Sequence, residues 1–443
     1  MYRGSDSATE ELFRDFLPFG GKLDEENRWV KAGRIMPWGE LETEYKTGFS
    51  RNHGRPSKEA RKMVGHWMIQ RMEGLSDAEV TVAVSETPGM QYFCGARRFE
   101  QKRLVSPSLL SKRRTALGPD FFQKLDAILS VTLVKGKMVK ARGLIMDGTV
   151  VDEKIKYPND VGLLNDARTW LVRTAQAMGR TVGQAYRTCS RTAGKVFLGF
   201  SKLKRKSKKT IRKAKKQMLQ FVRRNIKQVK DAVGRMQTRG ERIGRGVREK
   251  LAVAEQIFVQ QWEMHRTKTM RIADRIVSFS RPFVRPIKRG KSGKEVEFGP
   301  KVALMHVDGC LLAARIDYGN FSEADVAVVK AQVERYEALF GRLPPWGAGD
   351  KLYGNRAVRD FLESKGIKMS LRPLGRPAQT KDRKAERWYR DKQNQRNRIE
   401  GRIGNAKEGD QLGPIRYPGE NGAQIWIYAG LAALNLKLAL GRM

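Results

Sequence analysis

The sequence predicts an α/β protein in which a sheet is interrupted by a long basic helical stretch and preceded by an all-helical region. Three observations predict it. A buried-strand pattern stands alone over residues 142–152, a block from Ser201 to Lys230 holds fourteen Lys/Arg and no Asp or Glu, and a hairpin followed by alternating helices and strands begins at residue 296. The chain has 443 residues and is 40% hydrophobic, enough for two or three packed domains, so neither a disordered chain nor a single small module fits.

Up to about residue 125 the signals are helical. Ala60, Met63, Val64, Trp67 and Met68 recur at helical spacing, Ser57 is positioned to cap their helix and Gly74 to end it. Ser76 and Glu79 have capping-box spacing at the start of a second helix, which Pro88 and Gly89 close. A third helix opens at Ser106 and Pro107, with Lys112, Arg113 and Arg114 toward its C-terminal end, where the helix dipole favours cations. A helix-turn-helix and a plain helical domain with a basic rim are both open. Leu144 to Met146 with Val150 and Val151 then give a buried strand carrying Asp147, a site for a catalytic carboxylate or for a strand-end Asp bonded to a turn.

Residues 161–280 return to helix. Met218, Val222, Ile226, Val229 and Val233 form one apolar stripe, so the basic block can pack on one side and present its cations to phosphates, or to solvent alone, on the other. Val302–Val307 and Leu311–Asp317 flank the turn dipeptide Asp308-Gly309 as a hairpin. A helix over Ala324–Phe340, a short strand over Trp346–Asp350, a helix capped by Asn355 and ended by Gly366, and a strand over Ile367–Leu371 follow. An exposed polar helix over 376–402 and an apolar helix over Ile425–Leu440, too short and too polar at Asn435 and Lys437 for a membrane span, complete the order. With the basic stretch lifted out, this is the layout of a ribonuclease-H-like sheet. The expected division is 1–125 helical N-terminal DNA-binding domain, 126–160 plus 296–443 ribonuclease-H-like catalytic domain, and 161–295 basic helical insertion.

Eighty-eight Lys/Arg against 47 Asp/Glu give a formal net charge of +41, so the expected partner is a polyanion. Cys94, Cys189 and Cys310 lie far apart and fit neither a disulfide framework nor a CxxC zinc site, which matches a reducing cytoplasm. His53, His66, His265 and His306 assemble no triad by spacing, and no GxxxxGKS phosphate loop is present. Phosphodiester chemistry on such a chain would need carboxylates that meet in space and hold a hard metal ion. Asp147, Asp350 and Glu400 are the candidates, and Asp152, Asp308, Asp317 and Glu408 are weaker ones. Arg396, Glu400 and Lys407 fall on one helical face, an arrangement that can hold a metal and grip DNA, although Arg396–Glu400 is also an ordinary i, i+4 pair worth roughly 0.2–0.5 kcal/mol.

The segments GLIMDGTVV (143–151), GAGDKLYGN (347–355) and RNRIEGRIGNAK (396–407) resemble the three blocks of bacterial insertion-sequence transposases with a DDE triad, in the broad IS-four and IS-five superfamily. Residues 55–95 and 272–320 and the helix near Ala432–Leu438 resemble further parts of that group. The resemblance implies that Asp147, Asp350 and Glu400 are catalytic and hold two Mg²⁺ ions, with Mn²⁺ able to substitute. Part of the superfamily carries a Tyr, Arg, Glu, Lys signature, which Arg396, Glu400 and Lys407 fit and Gln393 does not. The implied activity is cutting at element ends and joining of 3′-hydroxyls to target DNA. Double-stranded DNA, bearing the terminal repeats and the target, is the implied partner. A homodimer or larger assembly, a cytoplasmic, nucleoid-associated location and no membrane are expected with it. The cations expected to bind DNA are Arg396, Lys407, Lys351, Lys204, Arg205, Lys208, Lys209, Arg212, Lys213, Lys216, Arg113 and Arg114. A silent transposase-derived DNA-binding protein and a nuclease that cuts without joining are the alternatives.

Overall fold

The computed structural model describes residues 23–50, 56–96, 98–291, 294–371, 383–410 and 412–443. His53 and the first part of the expected polar helix, 376–382, lie outside them. Two compact units result, one built from Met1–Glu153 with Pro300–Met443 and the other from Lys154–Gly299.

In the first unit, five helices lead in: α1 (Arg28–Ile35), α2 (Trp38–Thr47), α3 (Ala60–Glu73), α4 (Asp77–Glu86) and α5 (Pro88–Phe93). The Ser76–Glu79 capping box forms with both reciprocal bonds, and Gly74 closes α3 in the left-handed region. Ser57 does not cap α3. Glu59 takes the N-cap position without a side-chain bond, and the Ser57 hydroxyl lies 3.2 Å from that of Tyr45. The third expected helix does not end near Arg114 either: α6 runs Pro107–Lys135, bending at Gly118 (φ 71°) and Pro119. Phe121, Phe122, Leu125 and Leu129 continue its apolar stripe past the bend, and burying that stripe outweighs the local break.

The sheet has strand order β5-β4-β1-β6-β7, with β1 (Leu144–Val150) in the middle. β4 (Lys301–Val307) pairs antiparallel with β1 and with β5 (Cys310–Asp317), while β6 (Trp346–Ala348) runs parallel to β1 and to β7 (Lys368–Ser370). Asp308 and Gly309 connect β4 to β5 with φ of 49° and 88°, both positive as a type I′ turn requires. Helices α11 (Val326–Phe340) and α12 (Arg356–Ser364), the latter capped by Asn355 as expected, flank the strands, and α13 (Arg383–Glu408) packs on β1, β6 and β7.

The last helix, α14 (Glu420–Leu440), is apolar on all sides because it is buried on all sides, between α6, α3 and β5. By length and composition it could cross a membrane, but 78% of that span is buried within the fold. Its Asn435 exchanges two hydrogen bonds with the Leu311 backbone (3.0 and 2.9 Å), which pins the helix to β5 in one register. Asp126 on α6 and Arg335 on α11 make a buried ion pair at 2.6 Å, and Arg71 on α3 lies 3.5 Å from the Trp426 ring centroid.

The second unit holds α7 (Asp160–Thr181), α8 (Ser190–Lys202), α9 (Lys208–Thr238) and α10 (Arg245–Thr267) around a core that includes Leu171, Met218, Val222, Val229 and Ile257. The stripe read from the sequence is the buried side of α9, with Val233 partly buried at its edge. Asp160 anchors the start of α7 by accepting from Lys215 (2.9 Å) and Arg275 (2.6 Å). Burial raises its pKa, but the two cations outweigh that and hold it below the usual carboxylate value. The end of this stretch departs from the helical expectation: residues 268–285 are not helical, and β2 (Pro286–Lys291) and β3 (Lys294–Phe298) form a separate hairpin.

Candidate active site

Backbone register brings the first two carboxylates together. Along the parallel β1–β6 pair, Leu144 faces Gly347 and Ile145 faces Ala348, so Asp147 and Asp350 each lie two residues further along neighbouring strands. Asp147 is mostly buried, and its Oδ1 accepts from the Gly148 amide at 2.8 Å. Asp350 caps the short 3₁₀ turn Lys351–Gly354, accepting from the Leu352 amide at 2.9 Å. A carboxylate just past the end of β6 is therefore oriented by its own backbone turn.

The third comes from α13. Ile399, Ile403 and Ala406 face the protein, and the flank beside them carries Arg396 and Glu400. Arg396 Nη2 lies 3.0 Å from Glu400 Oε1 and 4.0 Å from Asp147 Oδ2, so one guanidinium bridges the strand carboxylate and the helix carboxylate. Its Nε is buried and has no hydrogen-bond partner among the described residues. Glu400 is 63% exposed against 14% for Asp147, so the helix carboxylate has the greater freedom to move. Gln393, at the position where the signature has Tyr, donates to the Ser370 carbonyl at 2.5 Å and fastens α13 to β7.

Two neighbours, Glu323 and Tyr353, carried no signal in the sequence. Glu323 lies so close to Gly148 that a Cβ there would come 2.7 Å from its carboxylate oxygen, and it pairs with Lys301. Glycine is what allows that approach. Tyr353 is buried, and its phenol is pushed well above the usual value first by burial and then by the charges of Asp147, Glu323 and Asp350, so it stays neutral. Close spacing of Glu323 to Gly148, the residue after the candidate aspartate, is a purely three-dimensional signal.

Among the described residues no three His, Cys, Asp or Glu side chains stand close enough together to hold a metal ion. The donor set is nevertheless of the right kind, because all three candidates are carboxylates and hard cations prefer oxygen. Burial lowers the pKa of His66 and His306 to about 4 and keeps both neutral. Cys94 and Cys310 are buried free thiols whose pKa burial raises.

The expected DNA-contacting cations divide sharply. Lys351 is exposed beside Asp350, and Lys204, Arg205, Lys208, Lys209, Arg212, Lys213 and Lys216 are all exposed in the second unit. Lys407 is partly exposed at the far end of the α13 flank, and Arg113 lies over the Phe49 ring at 4.7 Å. Arg114 is a correction: it is 5% exposed, grips both oxygens of Asp77 (2.8 and 2.9 Å) and stacks 3.7 Å from the Tyr417 ring centroid. That guanidinium is committed inside the fold and is not a phosphate contact.

Residues 18–116 match the family described as Transposase domain (DUF772), and residues 348–415 match the Transposase DDE domain. Both matches are to transposase domains, the second of the DDE type. The second match holds Asp350, Arg396, Glu400 and Lys407, whereas Asp147 lies outside both. The chain is also similar to an uncharacterised protein, ORF8 in the nfe locus of Rhizobium meliloti, at 29% identity over 190 residues, 42% of this chain and 90% of that one. No solved structure matches.

Proposed function

We propose that the protein is a DNA transposase of the IS-four/IS-five type, which cuts at the ends of its own element and joins the freed 3′-hydroxyls to target DNA, with Asp147, Asp350 and Glu400 as its metal-holding triad. The observation that carries this reading is the convergence of three distant segments, two in strand register and the third through Arg396. The strand order, with two antiparallel and two parallel pairings, supports a ribonuclease-H-like core in which residues 154–299 are the insertion and the leading helices a DNA-binding domain.

When bound, Mg²⁺ (two ions, with Mn²⁺ as a substitute) supplies acidification of a water and neutralisation of charge on the leaving oxygen. The chain's own groups do the rest. Backbone amides bond one oxygen each of Asp147 and Asp350 and so set the direction in which each carboxylate points. The Arg396 guanidinium, between Asp147 and Glu400, puts positive charge where a scissile phosphate would sit, and Lys351 and Lys407 extend that positive rim. Neutral Tyr353 fills the space behind the acids without adding charge. Double-stranded DNA is the substrate, and a homodimer or larger assembly in a bacterial cytoplasm, associated with the nucleoid, is the working form.

One observation favours a second reading, a catalytically silent DNA-binding protein: Arg396 occupies the gap between Asp147 and Glu400. A Mg²⁺-dependent assay on DNA carrying the element's ends separates the two. Wild type should cut and join, and Asp147→Asn should lose both by at least about 1,000-fold while binding DNA as before. Tight binding without cutting by wild type would establish the silent protein, and cutting without joined products a nuclease.

A further inference from the structure

Helix α13 has a second polar flank. Gln395, Arg398 and Arg402 follow one another at i, i+3 and i+7, on the opposite side of the buried Ile399, Ile403 and Ala406 from Glu400. They line a cleft of about 420 Å³. His306, also in its wall, pairs across the sheet with Ile145, and Asp147 is two residues further along the same face of β1. The cleft and the carboxylates therefore share one face of the sheet, roughly 7 Å apart along the strand.

The charges in this cleft are not balanced. Asp308 is its one carboxylate, and Arg142 and Arg442 already hold it, each at 3.1 Å. Arg398 is exposed and has no ion pair among the described residues. Arg402 Nε and His306 Nδ1 are buried and have no hydrogen-bond partner among the described residues. A buried guanidinium N–H without an acceptor is costly, and a water, an ion or a ligand oxygen can supply one. Through Arg142, Asp308 and Arg442 the cleft continues into a second one of about 560 Å³, edged by the exposed Lys137 and Lys140.

We propose that this cleft is a phosphodiester subsite, in which Arg398 and Arg402 hold a backbone phosphate of a DNA strand and Lys137 and Lys140 carry that strand onward. The forked guanidinium suits two oxygens of one phosphate, and the continuation past Asp308 suits a polymer better than a single anion. The inference rests on the reading that the protein acts on DNA, and it assigns part of that DNA a path beside α13.

Fluorescence anisotropy with duplex DNA bearing the element's ends, from 50 to 300 mM KCl, tests it on the full chain. Arg398→Gln/Arg402→Gln should bind about 10-fold more weakly at low salt, and the slope of log affinity against log salt should fall by about 1 to 2. Arg398→Gln alone, at an exposed position with no ion pair to lose, should give part of this effect with an unchanged melting temperature. Unchanged affinity and slope in both variants would overturn the proposal, as would protection of Arg402 by inorganic phosphate with no change in DNA binding, which marks a free-anion site. A slope that depends on these arginines in a protein that never cuts DNA would keep the subsite and sink the transposase. Cutting and joining with an unchanged slope would do the reverse.

Discussion

Arg114 and the lysines of α9 look alike in the sequence and do opposite work in the structure. In the first unit Arg114, Arg335 and Arg71 are turned inward, Arg114 on Asp77 and over Tyr417, Arg335 on Asp126 and Arg71 over Trp426, so they tie the leading helices to later segments. In the second unit, Lys215 alone of the basic block is buried and paired, and the lysines and arginines around it point to solvent. Basic composition thus takes two forms here, internal cross-links and an exposed positive surface, and only burial tells them apart.

That contrast can be tested at both ends. The largest effect is expected from replacing Lys204, Arg205, Lys208 and Lys209 with Gln. DNA affinity at 50 mM salt should fall on the order of 100-fold and the salt slope by up to about 3 to 4, with little change in melting temperature. An unchanged slope in a salt titration would return this surface to simple solvation. Arg114→Ala should do the converse, costing about 3 kcal/mol in urea unfolding by stranding Asp77, while DNA affinity stays near wild type. Weaker DNA binding with normal stability would put Arg114 back on the surface.

Smaller effects sharpen the picture of the first unit. His66 and His306 have folded pKa values of about 4, below the unfolded value near 6.5, so the unfolded chain takes up more protons as pH falls between them. Stability is therefore full above about 6.5 and lost toward 4, by on the order of 1 kcal/mol per histidine between pH 6 and 5. Urea midpoints across that range should drop less in His66→Gln than in wild type, once its own offset at pH 7.5 is subtracted. Finally, Gly401→Ala should stabilise by up to about 1 kcal/mol, since a Cβ there meets nothing within 4 Å. A loss of stability in thermal melts would mean that the exposed face of α13 is tighter than its surroundings indicate.

Much of the sheet was legible because its signals are local: the apolar run of β1, the Asp308-Gly309 turn and the Asn355 cap are each contained in a few residues. The β2–β3 hairpin was not. Its strands, PIKRGK and KEVEF, are too charged for clean apolar alternation, and the polar surface they share with the helices hid the change of structure. Asp147 and Asp350 could be singled out as carboxylates beside strands, but Glu323 reaches the same place only through folding, from a segment with no pattern of its own. Arg114 failed for the same reason, since its partners Asp77 and Tyr417 are far away in sequence.

The claim on which all else depends is that Asp147, Asp350 and Glu400 together hold a divalent cation. Titration of the full chain with Mn²⁺, followed by calorimetry or electron paramagnetic resonance in the presence of uncleaved end DNA, tests it without relying on turnover. Binding by wild type that Asp147→Asn, Asp350→Asn and Glu400→Gln each weaken by at least about 10-fold is the predicted result. Mn²⁺ binding that is the same in all four proteins would contradict it.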